Sequence, residues 1–596
     1  MTEPRTEGCY PRLLFRRGGR RLVASGPAGE AERFFEAAER ELLTEAIESQ
    51  RADWVYATFI TPDTEELSSA ALARLIASTV RLAREASRFD PRTLVGETKR
   101  KARLLPLSLP LLAPSDPALA QELTRLVASM QGAYAKGRHT PRGRTEPLDL
   151  QGLSRILTES RDPTLLEDVW LGWHAVGRTI RPEFERYVAL ANQGARELGF
   201  ADNGAMWRSK YDMEADAFAA EVDRLWEQVR PLYESLLTYV RRRLQALYGD
   251  VVPSRGPLPA HLFGNMWAQS WEWIYPLLAP KPAGAPIDLT DLLVRKKTTA
   301  EEMVRYAERF FVSLGLDPLP PSFWQRSMLV RPRDREVVCH ASAWDIDFVD
   351  DLRIKMCIEI TGEEFRTIHH ELGHNYYQRA YGHQPYLFRD SAHDGFHEAI
   401  GDTIALSVTP GYLQQIGLLA VVPPEDDIGF LLERALEKVA FLPFGLLIDK
   451  WRWEVFSGRI APDEYNRSWW ALRERYQGIG PPRPRGDDEF DPGAKYHVPA
   501  NVPYIRYFLA HILQFQFHRG LLRAAGYDGP LHRGSIYGSK DAGRRLAGTL
   551  AMGASREWPE ALEALSGERR MDAGGLLEYF APLRRWLDEQ NRASAG

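Results

Sequence analysis

For most of its 596 residues the chain places apolar side chains at helical spacing. They recur every three to four positions over 30–50, 65–89, 117–136, 162–178, 181–198 and 216–248, the period of helices with one buried face. The same period predicts helices over 259–276, where Trp267, Trp271 and Trp273 fall, and over 393–408, 427–456, 463–476, 502–524, 538–552 and 573–589. Strand-like sequence is confined mainly to 336–345 and 352–360, joined by an acidic turn holding Asp347, Asp350 and Asp351. A helix should follow at once: Thr361 is placed to cap it, Glu363 and Glu364 fill its first turn, and Phe365, Ile368 and Leu372 keep apolar spacing up to the Gly382 region. Polar stretches at 90–97 and 137–150, and Pro/Gly-rich ones at 252–258 and 277–286, read as loops. The expected fold is mostly α, with a small β-sheet beside the 361–382 helix.

No repeat, low-complexity tract or linker divides the chain. It is expected to form a single domain with two helical lobes over 29–590, flanked by a mobile segment at 1–28 and a tail at 591–596. Hydrophobic content of 44% and charged content of 26% are ordinary for a globular protein, and 16 Trp, 23 Tyr and 25 Phe supply bulky packing groups. A net charge of −5 gives no global attraction to nucleic acid, and the basic runs at 16–21, 99–103 and 136–144 read as solvated surface. No apolar run approaches the roughly 18 residues of a membrane span. Arg16 and Arg17 lack the apolar run of an export signal, so the chain as written reads as cytoplasmic, or as periplasmic or secreted if its true start lies elsewhere. Of three cysteines, Cys9 falls in the N-terminal segment, while Cys339 and Cys357 either face each other across a hairpin or stand as two free buried thiols.

The chemistry concentrates in His370-Glu371-Leu372-Gly373-His374. Residues four apart share a helix face, so both imidazoles can reach one zinc ion. Glu371, about 100° further round, can take a proton from a water on that ion. Zinc enzymes use three protein ligands as a rule, and Glu398 is the best third donor. It lies in Gly395-Phe396-His397-Glu398-Ala399-Ile400-Gly401-Asp402, where Asp402, one turn on, can accept a hydrogen bond from a ligand histidine.

This His-Glu-x-x-His with Glu398 in Gly-Phe-His-Glu-Ala-Ile-Gly-Asp resembles the angiotensin-converting enzyme family of peptidyl-dipeptidases, a gluzincin family. The likeness extends to Trp267-Ala268-Gln269-Ser270-Trp271, Cys339-His340-Ala341-Ser342-Ala343-Trp344-Asp345, Asp491-Pro492-Gly493-Ala494-Lys495-Tyr496-His497 and Val502-Pro503-Tyr504-Ile505-Arg506-Tyr507-Phe508. It covers most of 160–590 in order, and the first 150 residues match less clearly.

The resemblance implies a two-lobed zincin-type metallopeptidase with a deep central cleft, its helices at 29–150 forming a lid, that releases dipeptides from the C-terminus of oligopeptides. By that likeness Lys495, Tyr504 and Gln269 would hold the terminal carboxylate, His340 and His497 would donate to the carbonyl of the first departing residue, and the Ala341 backbone would pair with the peptide. Glu371 would act as base and then acid, and Tyr507, helped by His497, as donor to the oxyanion. The family's chloride activation implies one anion site at Tyr211 and Arg506. A second, at Trp469 and Arg473, is doubtful because His174 stands where an arginine is expected. Phe441 and His511 align with an aromatic pair lining the pocket for the terminal side chain. Cys339 and Cys357 match one disulfide of the family, whereas the pair expected near Leu522 and Gly534 is missing. One zinc ion, one chloride and a monomeric state are thus expected. Two alternatives stand beside this reading: a related zinc oligopeptidase that cuts internally or removes single residues, and a catalytically silent peptide-binding module.

Overall fold

The computed structural model describes residues 27–280, 287–422 and 427–593 and is helical almost throughout. Residues 1–26 of the N-terminal segment, Cys9 among them, lie outside the described residues, as do 594–596 of the C-terminal tail. Helices Pro27–Thr58 and Pro62–Ala86 pack on each other, and Thr61 caps the second through reciprocal bonds with Thr64. That cap moves the start ahead of the expected 65, because Pro62 opens the helix at its first position.

Six helices, the motif helix among them, build the body of the molecule. Asp427–Phe456 is buried along most of its length and packs against Ala215–Tyr248, Tyr465–Gln477 and Ile505–Ala524. Ile505–Ala524 lies along Asp394–Leu406, which in turn lies along Gly362–Tyr381. Two glycines allow that last approach. A Cβ on Gly373 would stand 2.9 Å from Gly401 Cα, and one on Gly401 would stand 2.8 Å from His370 Cγ. The helix with the histidines and the helix with Glu398 and Asp402 therefore meet almost backbone to backbone.

The sheet beside the motif helix is smaller than the sequence suggests. Ser342–Asp345 pairs antiparallel with Leu352–Lys355, Ser342 opposite Lys355 and Asp345 opposite Leu352. A second ladder, Leu258–Pro259 parallel to Ile479–Gly480, joins distant segments.

The expected helix over 259–276 does not form. Gly264 and Ala268 take left-handed backbone angles, φ +71° and +48°, and Asn265 Oδ1 accepts hydrogen bonds from the amides of Trp267 and Gln269 at 3.0 and 3.4 Å. Apolar spacing misleads there because the tryptophans serve separate sites: Trp267 Nε1 donates to Ala494 O at 3.0 Å, while Trp271 is buried and Trp273 exposed. Helices at Leu150–Glu159, Ala300–Leu314 and Trp558–Ser566 go beyond the expected set, the second closed by a capping box of Thr299 and Glu302. The expected 573–589 helix is two helices, Gly574–Tyr579 and Ala581–Ala593.

Candidate metal centre and peptide site

Thr361 caps the motif helix, its side chain accepting from Glu364 N at 3.1 Å, with Glu363 and Glu364 in the first turn as the sequence requires. From this helix His370 and His374 turn their Nε2 atoms to within 3.0 Å of each other, and Glu398 Oε2 lies 3.6 Å from His370 Nε2. These three residues are the one group of metal-competent side chains among the described residues.

Both motif histidines have partners behind them. His370 Nδ1 is 3.2 Å from Asp402 Oδ1, and Lys438 Nζ donates to Asp402 Oδ2 at 3.3 Å. His374 Nδ1 is 2.9 Å from His397 Nδ1, whose Nε2 is 3.2 Å from Tyr381 Oη. With each Nδ1 engaged on the outside, both Nε2 atoms are free to face one point. Donors on a tetrahedral zinc with bonds of 2.0–2.1 Å lie about 3.3 Å apart, and the observed spacings bracket that value, so the cluster fits zinc. Asp402 was expected in this supporting role. His397 was overlooked, although it lies inside the same quoted octapeptide.

The charges suit a metal ion. Burial pulls His370 down, but Asp402 and Glu398 outweigh it and push it up to about 10. His374, buried beside His370 and His397, falls to about 3. Burial would raise Glu398, yet its bond to His370 and the charge of His374 bring it to about 2. A single positive charge is thus held where a dication would be bound more strongly. Glu371 is buried, and that burial raises its carboxyl above the ordinary value, as suits a base that must also give a proton back.

A cavity of roughly 690 Å³ is lined by His370, Glu371, Asp402, His340 and Ala341. Cys339 and Cys357 form a disulfide next to His340, and Lys355 Nζ donates to Val338 O at 2.7 Å and His340 O at 2.6 Å. The segment carrying Ala341, which leads into the Ser342–Asp345 strand, is thereby fixed from behind.

The three residues expected to hold a carboxylate come together. Lys495 Nζ donates to Gln269 Oε1 at 2.6 Å and Tyr504 Oη reaches the same atom at 3.4 Å. Lys495 is 5% exposed, lies 4.1 Å from the Trp267 ring centre, and has no carboxylate partner among the described residues. Burial pushes its ammonium down to about 7. A buried cation with no counter-ion and an aromatic wall is a receptor for an anion.

Edge-to-face ring contacts extend from this cradle: Tyr504 to Tyr507 at 4.9 Å, and His497 to Tyr504 at 4.7 Å and to Tyr507 at 5.8 Å. Burial and the cations Lys495, Arg452 and Arg506 keep His497 neutral, at about 2. Burial and the nearby Glu398 raise Tyr507, so its hydroxyl keeps its proton. Phe441 and His511 stack at 4.4 Å. Asp449, missed in the sequence, holds the turn into the Ile505–Ala524 helix, its Oδ2 accepting from Tyr504 N and Ile505 N at 2.7 Å each.

The residues expected at the anion sites have neighbours that the sequence did not suggest. Tyr211 and Arg506 do approach each other's surroundings, but Arg506 Nη2 already lies 3.0 Å from Asp394 Oδ2, a neighbour that the sequence reading left out. His174 is buried, stacked on Trp170 at 3.7 Å and lowered to about 4 by burial, so it brings no charge to Arg473, whose Nη2 donates to Trp267 O at 2.8 Å. Leu522 and Gly534 adjoin without a disulfide, since a Cβ on Gly534 would come 2.5 Å from Leu522 Cδ1.

The family model described as Angiotensin-converting enzyme matches residues 27–596. The chain is 48% identical over 506 residues to the angiotensin-converting enzyme of Rattus norvegicus, covering 83% of this chain and 38% of that one. To the Bos taurus enzyme it is 42% identical over 574 residues, covering 94% and 43%. To that of the leech Theromyzon tessulatum it is 45% identical over 480 residues, covering 79% and 77%. The chain spans about two fifths of the length of the rat and bovine relatives.

Proposed function

The chain belongs to the angiotensin-converting enzyme family, and from that premise we propose that it is a zinc peptidyl-dipeptidase, releasing C-terminal dipeptides from oligopeptides. One observation carries the reading: a buried cation without a carboxylate partner among the described residues, Lys495, is joined to Gln269 and Tyr504, and Tyr504 meets edge-on the ring of Tyr507, whose hydroxyl lies within the field of Glu398 in the His370, His374 and Glu398 cluster. A metal hydrolase that lacked such a cradle would have no means of measuring distance from the chain end.

His370, His374 and Glu398 would hold the zinc. When bound, zinc supplies Lewis acidity, making a water nucleophilic near neutral pH and polarising the carbonyl to be cut. The protein's own groups do the rest. Lys495, Gln269 and Tyr504 fix the terminal carboxylate, and the Ala341 backbone lays the peptide out as a strand, with His340 and His497 donating to the carbonyl of the first departing residue. Glu371 takes the proton from the attacking water and returns it to the departing amine. Tyr507 donates to the oxyanion, with the neutral His497 beside it. No step is assigned to chloride.

By the same family resemblance the protein is proposed to act as a monomer. Among the described residues no helix is long and apolar enough to cross a membrane. The Cys339–Cys357 disulfide favours an oxidising compartment over the cytoplasmic placement expected from the sequence.

The test is digestion of one oligopeptide as its free acid and as its C-terminal amide, with mass analysis and a chelator control. Dipeptide release from the free acid alone is expected. Internal cleavage of both forms would favour the oligopeptidase alternative, and no cleavage the silent binding module.

A further inference from the structure

Asp394 opens the helix that carries Glu398, and Arg506 lies in the first turn of the helix that carries Tyr507. The two helices are joined at these ends by the 3.0 Å contact between Arg506 Nη2 and Asp394 Oδ2. A third element enters through Lys210, which follows the helix Asn203–Ser209 and donates to Asp394 Oδ1 at 3.3 Å. The Asp394 side chain is only 11% exposed. Burial opposes its charge, but Lys210 and Arg506 hold the carboxyl well below the ordinary range.

The surroundings hold more donor capacity than one carboxylate fills. Tyr211 Oη, Arg506 Nε and His393 Nε2 are buried without hydrogen-bond partners, as is Asp394 Oδ2, which meets Arg506 as an ion pair. Tyr211 stacks on Phe218 at 4.0 Å, and its backbone carbonyl accepts from Trp558 Nε1 at 2.7 Å, so its ring is fixed. Two cations from separate elements, facing one anion, make a knot held by the negative charge at its centre: stripped of it, Lys210 and Arg506, both only partly exposed, would repel each other.

We propose that Asp394 is a positioning residue, a carboxylate built into the chain that serves as the counter-anion of Arg506 and so holds Tyr507 in register with Glu398. It acts through Arg506 and touches no reacting atom. Two consequences follow from the charge count. The wild-type protein needs no free halide at this place. Removing the carboxylate leaves a cationic hole, bordered by Lys210, Arg506 and Tyr211, that a small monovalent anion fills. The catalytic consequence rests on the role given to Tyr507 above, whereas the anion hole itself does not.

The experiment uses the full-length zinc-loaded protein, Asp394→Ala and Asp394→Asn, at constant ionic strength in sodium gluconate exchanged stepwise for sodium chloride or sodium formate. Since a misplacement of about 1 Å can cost on the order of 100-fold, kcat/KM of Asp394→Ala should fall at least about tenfold in gluconate. Chloride or formate should restore it saturably, while the wild type changes by less than about twofold. The thermal midpoint of the variants, and not of the wild type, should rise with chloride, because an anion bound only to the folded state stabilises it. Wild-type activity of Asp394→Ala in gluconate, a loss that neither anion restores in folded protein, or equal chloride activation of wild type and variant would each overturn the proposal. If the alanine variant does not fold, Asp394→Asn, which keeps the shape and removes the charge, carries the same measurements. A wild type that releases no dipeptide would overturn the proposed activity and leave the chloride-dependent midpoint to decide this inference.

Discussion

Lys495 Nζ sits 2.6 Å from Gln269 Oε1, although the two residues are 226 positions apart. Their meeting depends on the loop that replaces the expected 259–276 helix, which turns Gln269 toward Lys495 while Trp267 lies over the ammonium. Lys495→Met should therefore lose discrimination by chain end. A charge-assisted bond is worth about 1.5–3 kcal/mol, so kcat/KM for a free-acid peptide should drop roughly 10- to 150-fold, with little change for the amide. Equal losses on both substrates would remove Lys495 from carboxylate recognition.

The same lysine should give the activity a basic limb. Burial lowers its ammonium to about 7 in the free protein, and the charged form is the one that attracts a carboxylate. As pH rises through about 7 the charge is lost, so kcat/KM, which reports the free enzyme, should fall. In the bound state the substrate carboxylate stabilises the charge, and the fall in kcat should move to higher pH. Lys495→Met should abolish this limb in a pH series taken from 6 to 9.

Glu371→Gln keeps the shape of the side chain but cannot take a proton. Turnover should drop by about 10²- to 10⁴-fold, with zinc content by elemental analysis unchanged at one per chain, since His370, His374 and Glu398 are untouched. A variant with full turnover would move the base elsewhere.

Local signals in the sequence anticipated the centre of this site. The cap at Thr361, the four-residue spacing of His370 and His374, and the pairing of Glu398 with Asp402 all act within one or two helical turns, and each appears as expected. What escaped was fixed by distant partners. Trp271 N donates to Leu436 O at 2.8 Å, and this tie, with the side chain of Asn265, overrides helical spacing in 259–276. Asp449 sits 55 residues from the amide it caps, and Asp394 meets Arg506 only because two helices pack side by side. His397 was within reach, since a polar ring beside Glu398 on a buried helix needs a partner.

That ring carries a prediction of its own. His374 Nδ1 meets His397 Nδ1 at 2.9 Å, where ligand histidines more often meet a carboxylate or a carbonyl. His397→Ala should weaken zinc binding by about 10- to 100-fold in competition with a chelator, while the far-ultraviolet circular dichroism stays unchanged. Unaltered zinc affinity would show that His374 needs no support on that side.

Asp449 and Arg452, each 1% exposed, form a buried ion pair that holds the peptide-binding segment from beneath. Arg452 donates to His497 O at 2.9 Å and to Val502 O at 2.7 Å, while Asp449 takes the amides of Tyr504 and Ile505. Asp449→Ala leaves Arg452 as an unpaired buried charge and frees two amides, a combination that should cost about 3–5 kcal/mol. Asp449→Asn keeps an acceptor for the amides and should lose less. The thermal midpoint should thus fall in the order wild type, Asp449→Asn, Asp449→Ala, and KM should rise in the same order, because His497, Tyr504 and Tyr507 all depend on that turn. A midpoint for Asp449→Ala equal to that of the wild type would mean that the turn holds its shape without the pair.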